Sequence, residues 1–163
     1  MRVISFASLI SFSLQIYAVA RIERVNVVFA VAGILLYLAS FSIFWRAVAA
    51  TRRNRLTLAF SEDQPQHLQT AGPYRFVRHP FYLAYLLFWT AGLFAAAGEW
   101  FLFATLAAMF ALYLRAARLE EAKFAASELT ENYSQYRAKT GMFLPNINSF
   151  NFSGDSSVVE EKR

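Results

Sequence analysis

Gly72-Pro73-Tyr74-Arg75-Phe76-Val77-Arg78-His79-Pro80-Phe81-Tyr82 sets two arginines, a histidine and two tyrosines directly against the long uncharged run that begins at Phe81. Polar chemistry is thereby placed at a membrane edge. Pro80 stands where a helix tolerates a missing amide proton, at its first position. A helix starting there turns free N–H groups and the positive end of its dipole outward, and Arg78 and His79 add to that field, so the helix start favours an anion.

Working outward, the chain has 163 residues, of which 57% are hydrophobic and 17% aromatic, too apolar for a soluble domain of this length. Four uncharged runs account for the excess: Val3 to Ala20, Val25 to Trp45, Phe81 to Gly98, and Trp100 to Leu114. The second approaches the roughly 20 residues that cross a bilayer core, and the others borrow length from flanking helix or sit beside thinned lipid. These runs predict an all-α, multi-pass membrane protein of four helices. Gly98-Glu99 breaks the last two into a tight antiparallel hairpin with Trp100 as an interfacial anchor.

Lys and Arg number six between Arg46 and Arg78, two between Arg21 and Arg24, and none at Gly98-Glu99. The positive-inside tendency then puts the middle loop and the basic segment after Leu114 in the cytosol, together with both termini. The net charge of +5 flanks the apolar runs and forms no separate basic face, which speaks for membrane orientation and against nucleic acid. With no cysteine and two histidines, His67 and His79, thiolate chemistry is excluded and no metal site is expected. The first run has two readings. Ala18-Val19-Ala20 before Arg21 fits a signal-peptide cleavage site, whereas Ser5, Ser8, Ser11 and Ser13 suit a retained helix that approaches its neighbours closely.

Arg52 to Gln69 is the loop long enough to close over a site, with a turn at Glu62-Asp63-Gln64-Pro65. Leu119, Ala122, Ala126, Leu129, Tyr133 and Tyr136 recur at spacings of three and four, the stripe of an amphipathic helix that either leaves the last membrane helix and folds across the cytosolic surface or continues it as a solvated extension. Residues 1–145 read as a single membrane-embedded domain, and residues 146–163 as a loose polar tail.

Gln66 through Tyr82 offers amide protons, Arg78 and His79 to a carboxylate or phosphate, and Tyr74 and Tyr82 to a flat ring or a cation. The plainer reading is interfacial anchoring by snorkelling arginines and belt tyrosines. At the far end of the last run stand Arg115, Arg118, Glu120 and Glu121. Adjacent carboxylates point about 100° apart on a helix, so one of the two glutamates can face a given pocket.

Taken together, Gly-x-Tyr-x-x-x-Arg-His-Pro-x-Tyr, a hydrophobic hairpin, Arg-x-Glu-Glu and a downstream Tyr-x-x-Tyr resemble the isoprenylcysteine carboxyl methyltransferase family and its phospholipid methyltransferase relatives. The resemblance covers Gln66 to Pro145. It implies an integral-membrane enzyme that binds S-adenosylmethionine from the cytosol and takes a lipid-linked or prenylated acceptor from the bilayer. By the same resemblance Gln66, His67, Leu68 and Gln69 line one wall of the cofactor site, Tyr74, His79, Pro80, Phe81 and Tyr82 another, and Glu120 or Glu121 supplies a third contact. An arginine for the acceptor carboxylate falls to Arg118 or Arg115, with Arg78 nearby. Ala84 stands where the family commonly has glycine, which narrows the approach between helices. A phosphatidylethanolamine-type acceptor is the enzymatic alternative, needing His79 or a glutamate as base. A non-catalytic lipid-binding scaffold is the alternative outside enzymology.

Overall fold

The computed structural model describes residues 2–52 and 65–146. Within them the chain forms α1 (Arg2–Ala20), α2 (Val27–Thr51), a short 3₁₀ turn (Gly72–Arg75), α3 (Pro80–Ala95), α4 (Trp100–Ala125) and α5 (Thr130–Lys139). The expected all-α architecture is present, and each uncharged run lies within one helix or its adjoining turn. Helices α1, α2 and α4 are long and apolar enough to cross a membrane. At 16 residues α3 rises only about 24 Å, so it reaches across a bilayer core less fully than its neighbours.

Local chemistry explains the boundaries. Asn26 caps α2 by accepting from the Val28 and Phe29 amides at 3.1 and 3.3 Å. Pro80 opens α3, where its missing N–H costs nothing. The hairpin after α3 turns through left-handed backbone at Ala97 and Gly98, with φ of 55° and 81°. Trp100 follows, 79% exposed.

Helix α3 is the centre of the bundle, packed by α2 on one side and by α4 and α1 on the other. With no hydrophobic drive between helices in lipid, small residues and polar side chains set these contacts. A side chain on Gly33 of α2 would lie 3.1 Å from the Ala91 carbonyl oxygen. Ser40 of α2 donates to the Ala84 carbonyl at 2.7 Å, and Gln15 of α1 donates to the Trp89 carbonyl at 3.1 Å. Ala84 is wholly buried, so the contact between α2 and α3 accommodates a methyl group at this position. Ala18 joins Leu93, Ala96 and Leu102 in a core cluster, which seats α1 in the α3–α4 hairpin.

One expectation changes. The amphipathic segment after Leu114 is two helices: α4 continues to Ala125, and α5 starts at Thr130 after a turn built on Ser127. The Ser127 hydroxyl takes the Leu129 amide and donates to the Phe124 carbonyl, a local alternative to helical bonding that breaks the stripe. A segment running from Thr140 to Asn146 then returns to the loop before α3, where Gly141 bridges Val77 in parallel register. The turn expected at Glu62-Asp63-Gln64 and the polar tail beyond Asn146 lie outside the described residues.

Candidate functional site

The polar loop, the start of α3, the end of α4 and α5 meet at one end of the bundle around a cavity of about 330 Å³. Gly72, at φ +63°, brings the 3₁₀ turn onto the end of α2, where a side chain on it would lie 3.1 Å from Ala50 Cβ. That seating points Tyr74 into the cavity.

The charged heart of the site lies between α3 and α4. His79 Nδ1 is 3.3 Å from Glu120 Oε2, and His79 Nε2 is 3.2 Å from Glu121 Oε1. Arg78 Nε donates to the same Glu121 oxygen at 2.9 Å. The Arg78 Nη1 also donates to the backbone carbonyls of Arg137 and Thr140 at the end of α5. Tyr82 donates its hydroxyl to Glu120 Oε1 at 2.7 Å. The anion expected beside the α3 start is therefore supplied by the chain's own α4 carboxylates. Burial, the largest single influence, pulls the His79 imidazole down, but hydrogen bonds and charge from Glu120 and Glu121 outweigh it and leave the pKa above the ordinary histidine value.

Aromatic rings make up most of the remaining wall: Tyr74, Phe81, Tyr82, Tyr85, Phe124, Tyr133 and Tyr136. Phe124 and Tyr133 stack at 4.8 Å between centroids. Tyr136 donates to the Tyr74 carbonyl at 2.7 Å, drawing α5 over the cavity. Burial pushes the Tyr136 phenol up to about 12, and those of Tyr74 and Tyr133 further, so all three remain neutral donors.

Of the residues singled out from the sequence, His67, Leu68, Gln69, Tyr74, Arg78, His79, Pro80, Phe81, Tyr82 and Glu120 line this cavity. Gln66 is exposed beside it, outside the lining. Glu121 is buried behind the wall, so the 100° between neighbouring glutamates is resolved with Glu120 facing inward. Arg115 and Arg118 are exposed on α4 and are not part of the lining. Tyr85, Phe124, Tyr133 and Tyr136 line the cavity without having been singled out as site residues. Tyr85 and Phe124 carried a readable signal, since they follow Phe81 and Glu120 by four residues, one helical turn.

Among the described residues no group of His, Asp and Glu is arranged to hold a metal ion. Neutral rings around a carboxylate suit a flat ligand bearing positive charge.

Fold and site together define a multi-pass helical membrane protein with a charged, ring-lined cavity at one end of its bundle. The sequence profile of phospholipid methyltransferases matches residues 27–132, from the start of α2 into α5, and the chain belongs to that family. It is a membrane methyltransferase, and the family implies S-adenosylmethionine as methyl donor. No curated protein and no solved structure matches the chain.

Proposed function

We propose that the protein transfers a methyl group from S-adenosylmethionine to the amine of a phospholipid headgroup presented from the bilayer, in a cavity facing the cytosol. One observation carries this reading: the cavity wall combines neutral aromatic faces with the inward carboxylate of Glu120. Such a wall suits a sulfonium and an ammonium alike. Among the described residues, the arginine that reaches the cavity, Arg78, is already engaged by Glu121 and two carbonyls.

The residues present fit the donor. Tyr74, Tyr82, Tyr133 and Tyr136 would hold its ring and charged sulfur, with Glu120 accepting hydrogen bonds from its polar groups. When bound, it supplies an electrophilic methyl group on positively charged sulfur. The chain's own part is to orient the acceptor, exclude water and manage one proton. An ammonium must lose a proton before its lone pair can attack. Both ring nitrogens of His79 already face carboxylates, so Glu120 is the better placed base. The basic loop after α2 supports the cytosolic orientation.

A carboxylate acceptor of the isoprenylcysteine type is the second reading, favoured by the Arg-His-Pro and Arg-x-Glu-Glu patterns. It needs no base, since a carboxylate with an ordinary pKa near 4 is already nucleophilic at cytosolic pH. It needs a cation at the cavity mouth, for which Arg118 and Arg115 lie exposed on the same end of α4. The deciding experiment supplies methyl-labelled S-adenosylmethionine to protein in lipid, with phosphatidylethanolamine or a prenylcysteine offered separately. Base-stable label in phosphatidylethanolamine is expected. Base-labile label confined to the prenylcysteine overturns the amine assignment, and no label in either lipid overturns both.

A further inference from the structure

The two adjacent glutamates of α4 have different surroundings. Glu120 meets the cavity, whereas Glu121 is 7% exposed and forms no part of the wall. Glu121 Oε1 instead receives both Arg78 Nε, at 2.9 Å, and His79 Nε2, at 3.2 Å. The opposite edge of the same imidazole lies 3.3 Å from Glu120. A single side chain thus spans the angle that separates consecutive carboxylates on a helix. Arg78 extends the chain of contacts outward to the carbonyls of Arg137 and Thr140, where α5 ends over the cavity.

We propose that Glu121 is a positioning residue for methyl transfer: from outside the cavity it grips Arg78 and His79 together, and so fixes the imidazole edge that holds Glu120 at the cavity wall. Its kinetic consequence rests on the methyl-transfer reading; its structural consequence does not. A neutral imidazole would set one lone pair against a carboxylate at 3.2 or 3.3 Å, so the arrangement requires both ring nitrogens to carry protons. The groups facing His79 are Glu120 and Glu121 from α4, the stacked Tyr82 ring from α3, and Phe143 from the returning segment. Arg78 from its own loop and Tyr133 from α5 reach it through Glu121. Glu121 is the group that lets a buried imidazolium and a buried guanidinium lie side by side.

The test is Glu121→Gln in lipid nanodiscs, read by the side-chain ¹⁵N signals of His79 and by the dissociation constant of S-adenosylmethionine. His67 is the other histidine, so two sets of imidazole signals have to be assigned. In the parent protein His79 is expected to carry both protons at pH 7, and in the variant to titrate at lower pH. At pH 6, where protonation of His79 is more favoured in both forms than at pH 8, cofactor affinity should stay within about threefold of the parent; at pH 8 it should fall about tenfold or more, a fall of about 1.4 kcal/mol. Glu120→Gln, which removes the negative charge of the cavity wall, should weaken binding at both pH values. Identical His79 titration in parent and variant overturns the proposal, as does a loss at pH 6 as large as that of Glu120→Gln. Should the variant fail to fold, the parent titration decides, because a neutral His79 at pH 7 contradicts the arrangement. A parent that binds no S-adenosylmethionine ends the methyl-transfer reading but leaves the His79 titration to judge the role of Glu121.

Discussion

The hydroxyl of Tyr136 donates to the backbone carbonyl of Tyr74 across 2.7 Å, joining α5 to the 3₁₀ turn over the cavity. Both rings line the cavity, so this bond closes the wall and tethers α5 alongside the Arg78 contacts to Arg137 and Thr140 and the Phe124–Tyr133 stack.

Tyr136→Phe keeps the ring and removes the bond, leaving the Tyr74 carbonyl without this partner. The expected cost is about 1 kcal/mol of local stability, read as faster amide exchange in α5. S-adenosylmethionine should bind about five- to tenfold more weakly in calorimetry, with exchange in α2 and α3 unchanged. Unaltered α5 exchange together with parental affinity would show that the bond does not hold α5 in place.

A pH dependence follows from His79, whose pKa lies above its ordinary value because Glu120 and Glu121 outweigh the opposing effect of burial. A raised folded-state pKa means that the folded form binds the proton more tightly than the unfolded chain. The stabilisation is therefore complete below the ordinary histidine value near 6.5 and is lost as pH rises through the raised one. Thermal melts of parent and His79→Gln in nanodiscs should differ most at pH 6, and the gap should narrow on going to pH 9. A gap that widens with pH contradicts the assignment.

Within the bundle, a side chain on Gly92 would lie 2.1 Å from Gln15 Nε2. Gly92→Ala must therefore expel the Gln15 amide from the Trp89 carbonyl, its 3.1 Å partner. Transmembrane hydrogen bonds of this kind are worth about 0.6 to 2 kcal/mol, and the two changes act on one contact. Gln15→Ala and Gly92→Ala should each destabilise the bundle in denaturant titration, and the double variant should lose less than the sum. Full additivity would mean that the two positions act independently.

Much of the fold was legible because lipid imposes a simple rule: each uncharged run has to become a helix, and Gly98 and Pro80 mark where helices stop and start. The carboxylate pair was legible as a pair, but which member faces inward depended on the rotation of α4 against α3, a tertiary property. Arg115 and Arg118 show the same limit, since the helical period that brings Glu120 to the cavity leaves both arginines exposed. The break between α4 and α5 was hidden by an apolar stripe that continues in phase across Ser127. The return of Gly141 and Met142 to accept the Arg78 and His79 amides, at 2.8 and 3.2 Å, is a backbone contact with no side-chain pattern to announce it.

The acceptor class can be read from Glu120 and Arg118 together, because they answer to different chemistry. An amine acceptor requires proton removal, and Glu120, held by Tyr82 at 2.7 Å and facing the cavity, is the group placed to assist. Its replacement by Gln keeps the hydrogen-bond geometry and removes the basicity, so methylation of phosphatidylethanolamine should fall about 10²-fold or more in kcat. Arg118, exposed on α4, should matter little to that reaction, with Arg118→Ala within about threefold of the parent in kcat/KM. A carboxylate acceptor reverses the pattern in one respect: an arginine that clamps it forms charge-assisted bonds worth about 1.5 to 3 kcal/mol. Arg118→Ala, or Arg115→Ala if that residue is the clamp, would then lower kcat/KM for a prenylcysteine about tenfold to a hundredfold while leaving cofactor affinity intact. Steady-state kinetics of the three variants with both acceptors, alongside cofactor binding, therefore distinguish the assignments. A parental turnover of phosphatidylethanolamine in Glu120→Gln would remove the base from the proposed mechanism, and an arginine variant that loses prenylcysteine turnover would place the acceptor carboxylate at the exposed end of α4.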